Sequence, residues 1–253
     1  MKRIWLTGAS SGIGAALAHI LLNQGHCVAV SARNAQDLER LKTTFAQQVL
    51  LVPGDLTDPA QVRAMGEHIE QAWGHLDQVI LNAGTCEYVD ASRFEADMIE
   101  RVMRTNVFSA AYCVEAALPL LRKARRPHLV AVCSSVTYLP LPRSEAYGAS
   151  KAAMRYLFQS LRLDVAHEGI DVTLVSPGFV DTPLTRQNDF PMPMRWPVDK
   201  AATYIAERLE KRPLEIAFPG PFIAALRLLA ALPQRLQWAL GKRLARPATE
   251  ESS

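Results

Sequence analysis

With 253 residues, 49% of them hydrophobic, the chain has apolar content for a sizeable buried core, and no linker or low-complexity tract divides it. A formal net charge of only +3, with scattered basic residues, gives no footprint for nucleic acid. The four cysteines, Cys27, Cys86, Cys113 and Cys133, form no CxxC pair and no metal-ligand pattern with the six histidines, so reduced thiols and no metal are expected.

Met1-Lys2-Arg3 leads directly into an apolar run, which predicts no signal peptide and a cytoplasmic protein. Residues 3–7 predict a strand, followed at once by Gly8-Ala9-Ser10-Ser11-Gly12-Ile13-Gly14 and by a helical pattern from Ala15 to Leu22. Glycines carry no Cβ, so in such a turn backbone N–H groups and the helix N-terminus can approach a diphosphate. Further strands are predicted near residues 27–31, 49–53, 78–81, 128–133, 171–176 and 214–218, with helical patterns between them. This alternation predicts an α/β fold in one domain over residues 1–253. Its doubly wound parallel seven-stranded sheet would carry helices on both faces, a Rossmann-like three-layer sandwich with ligand beyond the carboxyl ends of the strands.

Chemistry-bearing residues gather at those ends. Asp55-Leu56 follows the third strand, Asn82-Ala83-Gly84 the fourth, Ser134-Ser135 the fifth, and Pro177-Gly178 the sixth. Arg122-Lys123-Arg125-Arg126 reads as a helix C-terminus before Pro127. Tyr147 and Lys151, four residues apart, leave one helix face a turn apart. A neighbouring ammonium stabilises a phenolate, and each unit of pKa shift is worth about 1.4 kcal/mol.

Thr7-Gly8-x-x-x-Gly12-x-Gly14, followed in order by Asn82-Ala83-Gly84, Asn106, a serine thirteen residues before Tyr147, Lys151 and Pro177-Gly178, resembles the short-chain dehydrogenase/reductase family from Lys2 to about Pro183. The resemblance implies hydride transfer between a nicotinamide and a carbonyl or secondary alcohol, with Asn106, Ser134, Tyr147 and Lys151 as the catalytic set. Ser134 and Tyr147 would hold the carbonyl oxygen and Tyr147 exchange the proton. Lys151 would lower the Tyr147 pKa and hold the nicotinamide ribose, and Asn106 would anchor a water chain to Lys151. Ser134 is chosen over Ser135 by register and by strand alternation, which points the two to opposite faces.

The expected cofactor contacts are Gly8, Ser10, Ser11, Gly12, Ile13 and Gly14 of the turn, then Asp55, Leu56, Asn82, Ala83 and Gly84, then Tyr147, Lys151, Pro177, Gly178, Val180 and Thr182. Asp55 could bond the adenine amino group, cap the next helix, or do both. Thr182, before Pro183, reads as a phosphate contact at a helix start. No acid ends the second strand in Val30-Ser31-Ala32-Arg33-Asn34, so NADP(H) is favoured over NAD(H), with Arg33 and Ser31 on the 2′-phosphate.

Residues 184–197, with Phe190, Met192, Met194 and Trp196, suggest a lid over an apolar substrate. The apolar helical segment of about 220–246, with Lys242, Arg243 and Arg246, replaces the glycine-rich close common in the family. That favours a dimer over the common tetramer, and leaves packing on its own domain, a lid, a dimer contact or peripheral membrane contact open for this segment. A nucleotide-binding scaffold without turnover is the alternative function, and the intact Asn106, Ser134, Tyr147 and Lys151 set argues against it.

Overall fold

The computed structural model describes residues 1–188 and 190–244, the last two by their backbone only; Arg246 lies outside the described residues. In chain order the strands are β1 Arg3–Thr7, β2 Cys27–Ser31, β3 Val49–Leu51, β4 Gln78–Leu81, β5 His128–Val132, β6 Asp171–Pro177, β7 Val180–Asp181, β8 Trp196–Pro197 and β9 Glu215–Phe218. The α-helices are α1 Gly12–Asn23, α2 Ala35–Thr44, α3 Pro59–Trp73, α4 Ala96–Met103, α5 Ser109–Leu121, α6 Glu145–Val165, α7 Val198–Leu209, α8 Gly220–Ala230 and α9 Gln234–Leu244.

Seven strands form one parallel sheet, as the alternating sequence predicts, and their order is β3-β2-β1-β4-β5-β6-β9. Ile4, Trp5 and Leu6 are successive and all fully buried, because helices cover both sheet faces. On one face Ile4, Leu6, Val28 and Val30 pack with α1, α2 and α7 through Leu17, Leu38 and Ile205. On the other, Trp5, Ala29 and Val79 pack with α3, α5 and α6 through Ile69, Ala117 and Phe158. Strand order reverses between β1 and β4, so the connections leaving their carboxyl ends run to opposite faces of the sheet and leave a crevice between them.

Local chemistry sets the element ends. The Asn34 side chain caps α2 by accepting from the Gln36 N–H at 3.0 Å, and Asp58 caps α3 by accepting from Ala60 at 2.8 Å, with Pro59 in the first turn. Asp55 therefore is not the helix cap. It holds an Asx turn instead, accepting from the Thr57 N–H and hydroxyl, both at 2.9 Å. Strand β3 is shorter than expected, although the Val52 and Gly54 N–H groups still donate to the Val30 and Ala32 carbonyls.

Three further expectations change. No helix starts at Thr182: residues 182–187 form consecutive turns, with the Thr185 and Arg186 N–H groups both bonded to the Thr182 carbonyl. Trp196 is not a free lid residue, since it pairs in β8 and stacks on Phe218 with ring centroids 5.0 Å apart. Between α4 and α5 the chain runs through a π-helical interval, Arg104–Phe108, that carries Asn106. Among the described residues no helix is long and apolar enough to cross a membrane.

Candidate active site

The crevice opens into a cavity of about 780 Å³ whose wall is built from the ends of β1 to β6. On its first side lies the glycine turn. Gly8 adopts φ +68°, and a Cβ there would stand 2.8 Å from Ala83 Cα, so only glycine lets the β1 and β4 ends approach this closely. Gly14 does not line the cavity; a side chain there would collide with the Gly8 carbonyl oxygen and the Asn82 amide, so its role is to let α1 pack onto the turn. Asn82 binds the two ends together, its amide nitrogen donating to the Thr7 and Gly8 carbonyls, each at 3.2 Å, while its N–H donates to the Thr7 hydroxyl.

Gly8, Ser10, Ser11, Gly12, Ile13, Asn82, Ala83 and Gly84 line this part of the wall, joined by Asp55 and Leu56 from the β3 end. From the β6 end come Pro177, Gly178, Val180 and Thr182, the last with its methyl group directly over Gly12. Arg33, exposed at the β2 end, lies on the same wall. Ser31 does not. Its hydroxyl is fully buried on the opposite face and accepts from the Trp5 indole at 2.8 Å, which withdraws it from any phosphate. Alternation already held this signal, because Ser31 shares the face of Ala29.

On the second side Ser134, Tyr147 and Lys151 reach the cavity together. The Ser134 hydroxyl hydrogen-bonds the Tyr147 phenol and accepts from the Val136 N–H at 3.3 Å, while Ser135 turns into the protein. Lys151 is buried, donates to the Val132 carbonyl at 3.0 Å and stands 5.9 Å from the Tyr147 ring centroid. Burial raises the Tyr147 pKa above the ordinary phenol value, the nearby Cys86 adds to this, and the Ser134 bond opposes it. Burial also lowers the Lys151 pKa. In this geometry burial sets the direction of the Tyr147 shift, opposite to the acidification expected from Lys151.

Asn106 is fully buried and does not itself line the cavity, but it lies close behind Lys151: a Cβ on Gly84 would stand 3.0 Å from Asn106 Oδ1 and 3.3 Å from Lys151 Nζ. Its amide donates to the Thr85 carbonyl at 2.9 Å and the Ser150 hydroxyl at 2.8 Å, and its oxygen accepts from the Thr85 N–H at 2.7 Å. These bonds tie the turn after Gly84 to α6 one residue before Lys151, a positioning role. An aromatic cluster packs beside this end without lining the cavity: Phe190 of the expected lid meets Tyr88 and Phe179, which the sequence reading missed, at centroid distances of 5.4 and 6.1 Å, and Phe179 meets Phe222 of α8 at 5.6 Å. Tyr88 further donates to the Asn188 side chain at 2.7 Å, fastening the 184–197 loop.

Residues 2–191 match the short chain dehydrogenase family. The chain belongs to that family. An uncharacterized oxidoreductase of Myxococcus xanthus is 34% identical to this short-chain dehydrogenase over 94% of the chain and 96% of its own length. Dehydrogenase/reductase SDR family member 7B of Bos taurus is 35% identical over 71% of the chain and 58% of its own length. Among solved structures, a Burkholderia cenocepacia short chain dehydrogenase in complex with NADP shares 25% identity and a TM-score of 0.82, covering 97% of this chain and 98% of that one. Pseudomonas aeruginosa RhlG in its NADP active-site complex gives 27% and 0.79, over 88% and 96%. The short-chain dehydrogenase is thus an oxidoreductase of a family that binds a nicotinamide cofactor, and the cradle of Gly8, Gly12 and Asn82 fits the diphosphate of such a group.

Proposed function

We propose that the enzyme is an NADP(H)-dependent carbonyl reductase or alcohol dehydrogenase acting on an apolar ketone, aldehyde or secondary alcohol. One observation carries the reading: a single cavity joins the glycine cradle to the Ser134, Tyr147 and Lys151 side chains. The bound nicotinamide supplies or takes up the hydride. The chain does the rest. Ser134 and Tyr147 hydroxyls polarise the substrate oxygen, and Tyr147 donates its proton as negative charge develops there. Because burial keeps Tyr147 protonated, reduction proceeds with little pH dependence around neutrality, whereas oxidation needs the phenolate and accelerates as pH rises. Lys151, fixed by Val132, offers an ammonium to ribose hydroxyls, and Asn106 holds the Thr85 turn and Ser150 in register beneath it.

Arg33 and the lack of an acid at the β2 end support NADP(H), as do the NADP complexes of the structural relatives. The aromatic cluster of Tyr88, Phe179, Phe190 and Phe222, packed beside the Pro177-Gly178 end of the cavity, supports an apolar substrate. We read the cofactor and substrate sites as parts of one domain, the protein as cytoplasmic and its assembly as a homodimer. Tyr156 and Leu163, two turns apart and exposed on α6, provide apolar area for such a contact. The α8–α9 pair is read as touching an anionic membrane surface, for the charge and exposure given in the Discussion. Turnover of a ketone and aldehyde panel with NADPH tests the reading. Tyr147→Phe is expected to lower kcat by about 10²–10⁴-fold, the usual worth of a positioned proton donor. Undiminished turnover in that variant rules the mechanism out, and stoichiometric NADPH binding without turnover on any substrate revives the scaffold alternative.

A further inference from the structure

Behind the cavity, outside its wall, the Glu215 carboxylate gathers side chains from four segments. Its Oε1 accepts from the Tyr138 hydroxyl at 2.6 Å, from Arg155 Nη1 at 2.6 Å and from the Ser176 hydroxyl at 2.7 Å. Its Oε2 accepts from Arg155 Nη2 at 3.2 Å and from Arg227 Nη2 at 3.0 Å. The Tyr138 ring lies between the two guanidinium groups, 4.9 Å from Arg155 and 5.0 Å from Arg227. Arg155 and Glu215 are only about a fifth exposed, at 20% and 18%.

Each partner sits beside a part of the site. Tyr138 lies four residues beyond Ser134 in the turn that aims it. Arg155 follows Tyr147 and Lys151 at successive i, i+4 positions, on the same face of α6. Ser176 immediately precedes Pro177-Gly178, and Arg227 lies on α8, which carries Phe222 onto Phe179. A desolvated carboxylate is a poor source of net stability, since the cost of removing charges from water consumes most of the Coulombic gain. What it supplies is direction: bidentate and charge-assisted bonds fix angles that apolar packing leaves adjustable. Burial by itself would raise the Glu215 pKa, but Arg155, Ser176 and Tyr138 overcome it and hold the carboxyl at about 2, so the hub is charged at every working pH.

We propose that Glu215 is the positioning residue that locks the Ser134 turn, the Tyr147–Lys151 face of α6 and the Pro177-Gly178 strand end into one geometry. The inference rests on Tyr147 being the proton donor. It also has an electrostatic side. With Glu215 neutralised, Arg155 and Arg227 lose their counter-charge one turn from Lys151, and their field favours the Tyr147 phenolate.

The test is Glu215→Gln, with Tyr138→Phe as a milder variant that removes the hydroxyl's two hydrogen bonds, to Glu215 and from Arg227, and leaves the ion pairs in place. In Glu215→Gln, kcat is expected to fall by about ten- to a hundredfold, the cost of a small misplacement of reacting groups, with the NADPH dissociation constant little changed. The rise of alcohol oxidation with pH moves to lower pH by about half a unit. In the protein without cofactor, amide exchange rises between residues 134 and 151. Tyr138→Phe gives the same signs at smaller size, and covers the case in which Glu215→Gln does not fold. Lost thermal stability with unchanged kcat, pH profile and local exchange makes Glu215 a structural ion pair only and overturns the proposal. If Tyr147→Phe keeps full turnover, the mechanism fails first and the positioning role with it. If Tyr147→Phe is inactive and the Glu215 and Tyr138 variants turn over normally, only the positioning role fails.

Discussion

Tyr147 and His128 are governed by the same cost, that of holding charge away from water, with different consequences. For Tyr147 the result is a retained proton at the cavity. His128 lies at the other end of the sheet, buried between β4 and β6, its Nδ1 2.8 Å from the Gln78 amide and its Nε2 2.9 Å from the Thr173 hydroxyl. Since that hydroxyl donates to the Pro213 carbonyl, it accepts from Nε2–H, and Nδ1 is left to accept from Gln78. Both ring nitrogens are satisfied in the neutral form only. Burial, helped by the positive Arg212, pushes the His128 pKa down to about 3 from 6.5. The unfolded chain therefore binds more protons than the native one between those values. Stability is full above about pH 6.5 and falls as pH drops, by up to about 1.4 kcal/mol per unit. Denaturant midpoints from pH 7 to 5, above the range where Glu215 titrates, are expected to fall more steeply for the parent than for His128→Gln. Parallel slopes contradict the assignment. Ser134, Tyr147 and Lys151 were legible in the sequence because their spacing is set locally, by strand alternation and one helical turn. Asn106 was legible as a residue and not as a geometry, because its bonds reach Thr85 and Ser150, 21 and 44 positions away.

At the scale of elements, α8 and α9 differ from the rest. The exposed large hydrophobic residues include Leu228, Leu236, Trp238 and Leu240, all on this pair. Between Glu215 and Glu250 the sequence has no acid, whereas Arg227, Arg235, Lys242, Arg243 and Arg246 are basic. Lys242 lies 4.1 Å from the Trp238 ring centroid, so a cation and an interfacial aromatic share one side of α9. The inner side of α8 carries Phe222 into the aromatic cluster. Co-sedimentation with vesicles containing phosphatidylserine is expected for the protein and to fall several-fold for Trp238→Ser/Leu236→Ser, with binding weakened by salt. Equal recovery in the supernatant with and without vesicles contradicts the membrane reading, and a vesicle-independent loss of mass in the double variant assigns the face to a second copy instead. The strands and most helices were legible from period and punctuation. The 182–187 turns and the place of Trp196 were not, because β7–β8 pairing and stacking on Phe218 decide them.

At the scale of the whole molecule, the parallel sheet brings the ends of six strands to one rim, so that residues as distant as Gly8 and Thr182 face one another across a cavity. The parallel sheet with helices on both faces follows from the alternating pattern, whereas the strand order depends on the face each crossover helix takes, which the pattern does not encode. What length and pattern do not encode is the substrate, because the aromatic cluster beside the cavity, Tyr88, Phe179, Phe190 and Phe222, comes together only in the folded chain. The cofactor end is simpler, since the proposed preference for NADPH over NADH rests on one exposed side chain, Arg33, on the cavity wall at the β2 end. A charged hydrogen bond of this kind is worth about 1.5–3 kcal/mol, or about ten- to a hundredfold in affinity. The central claim, that this cavity is an NADP(H) site, is tested most directly by equilibrium titration of the protein and of Arg33→Ala with NADPH and NADH in parallel. The account predicts tighter NADPH binding in the parent, and a loss of about ten- to a hundredfold in Arg33→Ala that leaves NADH nearly unchanged. Tighter NADH binding in the parent, or equal NADPH affinity in the two proteins, contradicts it.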